Sequence, residues 1–142
     1  MLTPRHPRGR VAAVALSVAV LLTTAACSGG DGGVDPSAAD WPEAISPADA
    51  DGDFWVVWTA VAENGDDPAL ATETARLAEQ GYETEPWSPQ CQAGALEQIS
   101  GLTGYAEPVG VGVAFASEED AGVFDTRDEG TTVTVSSGSW TC

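Results

Sequence analysis

Val109-Gly-Val-Gly-Val-Ala-Phe-Ala116 alternates bulky and small residues with a period of two. Only an extended strand puts Val109, Val111, Val113 and Phe115 on one side together. The other side, Gly110, Gly112, Ala114 and Ala116, is almost bare backbone. A strand of this kind needs a core on its bulky side and leaves the opposite side poor in side-chain chemistry. Phe54-Trp-Val-Val-Trp-Thr-Ala-Val-Ala62, rich in aromatic and β-branched residues, predicts a second strand.

Helix and turn signals fall between and around these two. Asn64-Gly-Asp-Asp67 forms a turn, and Asp67 followed by Pro68 supplies an N-cap and a first-turn proline. Residues 68–80 then predict a helix with Leu70, Ala71, Thr74, Leu77 and Ala78 on one face, stopped by Gly81 as a left-handed cap. Tyr82 to Trp87 reads as a short strand ended by Pro86 and Pro89. Residues 91–99 suggest a short helix bearing Leu96 and Ile99 and closed by Gly101. Ser117-Glu-Glu-Asp120 opens a further helix carrying Ala121 and Phe124, and Thr131 to Ser137 is a last strand with Val133 and Val135 inward.

The order is βαβ, a linking helix, then βαβ. Two such halves in so short a chain predict an α+β, ferredoxin-like sandwich: a four-stranded antiparallel sheet with helices on one face and the other face partly open. The segment Leu77-Ala-Glu-Gln-Gly-Tyr-Glu-Thr84, with Val111-Gly-Val-Ala-Phe-Ala-Ser-Glu-Glu-Asp-Ala121, resembles a divergent SPOR (sporulation-related repeat) domain over residues 54–136. The resemblance implies the same two-half architecture and binding of peptidoglycan glycan strands on the open sheet face.

The N-terminus carries a different signal. Arg5, Arg8 and Arg10 precede an apolar run of 12 residues from Val11 to Leu22, and Thr24, Ala25 and Ala26 lead into Cys27. A spanning helix needs about 20 residues, so the run is too short for a permanent anchor. The order resembles a bacterial lipoprotein signal peptide, although Thr24 stands where such motifs carry leucine. It implies a signal over residues 1–26, cleavage before Cys27, diacylglycerol on that thiol and a place at the extracytoplasmic face of the cell membrane. Arg8 and Arg10 are separated by Gly9, so Sec export is expected rather than the twin-arginine route. Residues 27–50, rich in Gly, Ser, Asp, Ala and Pro, are expected to serve as lipid-attachment site and flexible tether, with the folded domain over 51–142.

Without residues 1–26 the chain keeps Arg76 and Arg127 against 22 acidic residues, a net charge of −20, with no Lys, His or Met. That charge repels nucleic acid and anionic lipid headgroups. The absence of His excludes Ser/His/Asp and Cys/His nucleophile systems, and the absence of Lys excludes Schiff-base chemistry. Asp49-Ala-Asp-Gly-Asp53 resembles a calcium loop, but Ala60 stands where the bidentate Glu belongs, so a turn is the better reading. Glu118, Glu119 and Asp120 fit a helix start better than an acid–base pair. No cofactor and no metal are expected.

Cys91 and Cys142 remain for one disulfide, 51 residues apart; a redox or metal role is the alternative. Trp55 and Thr59 on the first strand, with Thr132 and Thr134 from the last, are the candidate glycan- or partner-binding residues if Phe54, Val56 and Trp58 face the core. The alternative is that Trp55 packs beneath the N-terminal segment, against Trp41 or Ile45. The expected function is non-catalytic binding in the envelope, either of peptidoglycan glycan or of a protein partner, with a carboxylate-based hydrolase as a third class.

Overall fold

The computed structural model describes residues 40–142. The signal over 1–26, Cys27 and the first part of the tether lie outside the described residues. The described chain runs β1 (Asp53–Ala62), α1 (Pro68–Glu79), α2 (Ala95–Thr103), β2 (Val109–Phe115), α3 (Glu118–Arg127) and β3 (Thr134–Ser139), with short 3-10 turns at Pro47–Asp49 and Pro89–Cys91. The class is α+β, with one three-stranded antiparallel sheet in the order β2-β1-β3.

Local chemistry sets the helix ends. The Asp67 carboxylate accepts from the Ala69 amide at 2.9 Å, and Pro68 occupies the first turn of α1. At the other end the Tyr82 amide donates to the Leu77 carbonyl and the Gly81 amide to that of Ala78, with Gly81 at φ 94°. This is a Schellman closure, and Tyr82 and Leu77 pack in the same core beneath it. Ser117 Oγ accepts from the Asp120 amide at 3.1 Å to start α3. The linking helix differs from expectation. It begins at Ala95 and closes at Gly104 (φ 78°), so Gly101 lies inside it rather than ending it.

Two corrections concern the sheet. The segment 82–87 does not form a fourth strand. Only Trp87 pairs with β2, through an isolated bridge to Gly110, while Thr84 Oγ donates to the Gly112 carbonyl where a main-chain amide would sit. Pro86 fixes its own φ and restricts the residue before it, and the Thr84 hydroxyl offers β2 a local substitute for a ladder bond.

Helices also do not occupy one face alone. α1 and α3 cover the side bearing Val57, Val111, Val113 and Phe115, which pack with Leu70, Leu77, Tyr82 and Phe124. The opposite side carries Phe54, Val56 and Trp58, covered by Ile99 of α2 and by Ile45, Ala50, Trp87, Val133 and Trp140. Residues 41–50, read as the end of the tether, are therefore docked on the folded unit. The Ile45 amide donates to the Ala114 carbonyl at 2.8 Å.

Trp58 anchors the second side. It is fully buried, and its ring lies over the bare backbone of Gly110, where an added Cβ would come within 2.7 Å of the ring carbons. Full burial of such a side chain removes about 200 Å² from water, on the order of 5 kcal/mol before entropy is counted. Its indole N–H donates to Ser136 Oγ at 2.8 Å, Ser136 donates to Gln92 Oε1, and Gln92 Nε2 donates to the Phe54 carbonyl at 2.9 Å. The chain is satisfied at each link, and it ties the turn ahead of α2 to Phe54 and Trp58 of β1 and to Ser136 of β3. Beside it, Cys91 and Cys142 form a disulfide with Cα atoms 4.9 Å apart.

Candidate functional site

The four residues expected to share an open sheet face do not do so. Trp55 is half-buried and packs with the core under α1 and α3. Thr59 is buried at the irregularity between Trp58 and Ala60, its hydroxyl directed at the Val111 carbonyl at 3.4 Å. Thr134 pairs in register with Trp58, so it stands on the opposite side of the sheet from Trp55. Its hydroxyl accepts from Gln98 Nε2 at 2.7 Å, and Thr132 precedes the strand, half-buried. Both sides of the sheet are covered, so no open face gathers Trp55, Thr59, Thr132 and Thr134.

The concave feature lies instead along the outer edge of β2. A groove of about 1200 Å³ runs between residues 41–48 and residues 80–87, floored by Gly112, Val113 and Ala114 and bounded at one end by Trp87 and Trp140. Trp87 lies 4.5 Å from Trp58 between ring centroids and 5.6 Å from Trp140, a run of three indoles reaching from core to rim. On the other side Tyr82 holds the docked segment, its hydroxyl donating to the Pro42 carbonyl at 2.9 Å. Burial raises the Tyr82 pKa, Arg127 opposes that shift and Asp128 adds to it, so the hydroxyl stays a donor at neutral pH. Trp41 rests edge-on against Tyr82 and Phe124, and the Arg127 guanidinium sits 4.5 Å from its ring centre.

Around the groove the charge is acidic, with Glu43, Glu83 and Glu85 among its lining residues. Arg76 is engaged elsewhere, by Glu73 at 2.6 Å and Asp128 at 2.7 Å. The Arg76 hydrogen bonds hold the Glu73 carboxyl below its ordinary range. Burial pushes Asp128 upward, but hydrogen bonds from Arg76 and Gln80 outweigh it and leave Asp128 lowered too. Arg76 itself is raised, chiefly by Glu73 and Asp128. This triad joins α1 to the end of α3 and lies outside the groove.

The acidic run at the start of α3 is a helix start. Ser117 and Asp120 bond one another there, while Glu118 and Glu119 point to solvent. Among the described residues no group of three or more His, Cys, Asp or Glu side chains is placed to hold a metal ion, and no helix is long and apolar enough to cross a membrane.

Sequence reasoning missed Trp87, Trp140 and Thr84 as a set, because they come from irregular segments with no period to read. One signal was available. The first strand is apolar almost without interruption, the pattern of a strand buried on both sides rather than one. No family model matches this chain, and searches of curated proteins and of solved structures return no match.

Proposed function

We propose that this protein is a non-catalytic binding module of the cell envelope, held at the extracytoplasmic membrane face by lipid on Cys27, and that it takes an envelope protein in the groove beside β2. The groove carries this reading: it is concave, walled by aromatic rings and in contact with the sheet. Coverage of both sheet sides favours a partner at the edge over a ligand on a face.

The ferredoxin-like layout belongs to the same proposal. With residues 82–87 counted beside β2, the spatial order is 82–87, β2, β1, β3, the arrangement two βαβ halves generate, with the outermost strand reduced to one bridge. The SPOR-like resemblance then concerns architecture, while the binding surface has moved from face to edge.

Peptidoglycan glycan in the same groove is a second reading, favoured by the indole planes of Trp87 and Trp140, since flat aromatic faces stack on sugars. Two measurements separate the readings. Full chain in neutral detergent is incubated with purified sacculi, beside a Trp87→Ala variant checked for folding. Retention of the wild type and its loss in the variant favours glycan, whereas no retention at low and moderate salt removes it. A photo-crosslinking amino acid at Glu85, compared with one at Glu63 outside the groove, is expected to capture a protein from Glu85 only. Equal capture from both positions, or none, sinks the partner reading.

A further inference from the structure

The outer edge of β2 is half-paired. The carbonyls of Gly110, Gly112 and Ala114 accept from the Trp87 amide at 2.9 Å, Thr84 Oγ at 2.9 Å and the Ile45 amide at 2.8 Å. In an antiparallel strand the N–H and C=O of one residue point the same way. The amides of these three residues therefore also face outward. That of Gly110 donates to the Trp87 carbonyl at 3.0 Å. Those of Gly112 and Ala114 have no acceptor among the described residues, although both residues are buried. Buried main-chain donors almost always have partners. Two successive ones on a sheet edge, on the floor of a groove, form the pattern that an added strand completes.

We propose that the gap between Ile45 and Trp87 accepts an extended, lysine- or arginine-bearing segment of the partner protein as an added strand, its carbonyls receiving the Gly112 and Ala114 amides. Charge selects this occupant. Glu43, Glu83 and Glu85 line the groove, and all but Asp31 and Asp35 of the 22 acidic residues lie in the described chain. Arg76 is tied to Glu73 and Asp128 outside the groove, and Arg127 lies over Trp41 at its edge, one cation beside three lining carboxylates. An anionic segment would be repelled, whereas a cationic one meets carboxylates on both banks. Alternate side chains of an added strand would face Trp87 on one side of the sheet and Tyr82 on the other.

This inference rests on the partner reading above, and its test can fail without that reading failing. The full chain in neutral detergent is titrated with a short synthetic peptide alternating lysine and valine. Matched peptides carry either glutamate in place of lysine or N-methyl groups on alternate backbone nitrogens. Amide hydrogen exchange is followed at Gly112 and Ala114. Expected are saturable binding, at least tenfold weaker affinity for both control peptides, and at least tenfold slower exchange at those two amides in the complex. A Glu83→Gln, Glu85→Gln variant, which leaves the β2 backbone untouched, should weaken lysine-peptide binding about tenfold at low salt. Binding that tolerates N-methylation, or that leaves both amides unprotected, overturns strand addition while keeping a groove that binds. Preference for the glutamate peptide overturns the charge assignment. No peptide binding, together with captured protein from the Glu85 crosslinker, overturns the inference and spares the partner reading.

Discussion

Gly110 and Gly112 face the side of the sheet that Trp58 fills. A Cβ at Gly110 would approach the Trp58 ring carbons to 2.6 and 2.7 Å, and one at Gly112 would meet Val56 and the Val57 carbonyl at 2.8 Å. The Trp58 ring is held by Ser136 and Trp87, and the Val57 carbonyl belongs to the main chain of β1, so neither yields easily. Gly110→Ala is expected to cost about 2–3 kcal/mol by overpacking, read as a lower urea midpoint with an unchanged slope.

The Arg76 triad makes stability depend on pH. The Glu73 and Asp128 carboxyls are both lowered in the folded state. Their contribution is therefore complete above the ordinary carboxylate range and is lost as pH falls below about 4. Arg76→Met should destabilise the protein at pH 7 by about 1–2 kcal/mol, discounted for the partial exposure of the guanidinium. The gap between variant and wild type should shrink in urea titrations as pH drops towards 3. A gap that is constant with pH would assign the loss to packing of the Arg76 stem.

At the scale of elements, the turn ahead of α2 depends on covalent and polar ties more than on apolar burial. Cys91, Gln92 and Trp140 bring the last residues of the chain back to it, through the disulfide, the Gln92–Trp140 bridge and the Thr141 amide on the Cys91 carbonyl. Removing the cross-link by Cys91→Ser with Cys142→Ser is expected to cost ~4 kcal/mol for a loop of this length. The loss should appear as a melting temperature that dithiothreitol lowers in the wild type and leaves unchanged in the variant.

This is also where the sequence was least legible. The strands Phe54–Ala62 and Val109–Phe115 and the helix capped by Asp67 and Gly81 carry period, caps and turn residues of their own, so they could be placed. α2 was displaced by four residues because Gly94 and Gly104, both at positive φ, bound it without side-chain caps. The segment 82–87 has strand composition, but a Thr84 hydroxyl bond decided its pairing. Period two told which residues of β1 stand together, and not what would cover each side. Trp55 was misplaced at that step, whereas Thr59 and Thr134 were misplaced by the irregularity after Trp58 and by the register of β3 on β1, neither of which a period reveals.

For the whole molecule, the docked segment 41–50 matters most. Trp41 is 45% exposed, yet it touches Tyr82, Phe124 and Arg127, and Ile45 covers the second side of the sheet. Trp41→Ala should loosen this strap before it unfolds the sheet. The expected sign is faster proteolytic cleavage within residues 40–50 at a nearly unchanged urea midpoint. A midpoint that falls in parallel with cleavage would make the strap part of the cooperative unit. The strong acidity acts over the same scale: added sodium chloride should raise the melting temperature by screening repulsion among surface carboxylates.

The disulfide has a consequence for how the molecule can come apart. It closes a covalent ring from Cys91 to Cys142 that contains both β2 and β3, the two neighbours of β1. The central strand thus lies clasped between two spans of one ring while belonging to neither. The jaws of that clasp stay covalently tethered when their hydrogen bonds to β1 break, which limits how far they can part and favours their closing on β1 again. Thermal fluctuation should open the strap and α2 first and leave the clasped strand until last.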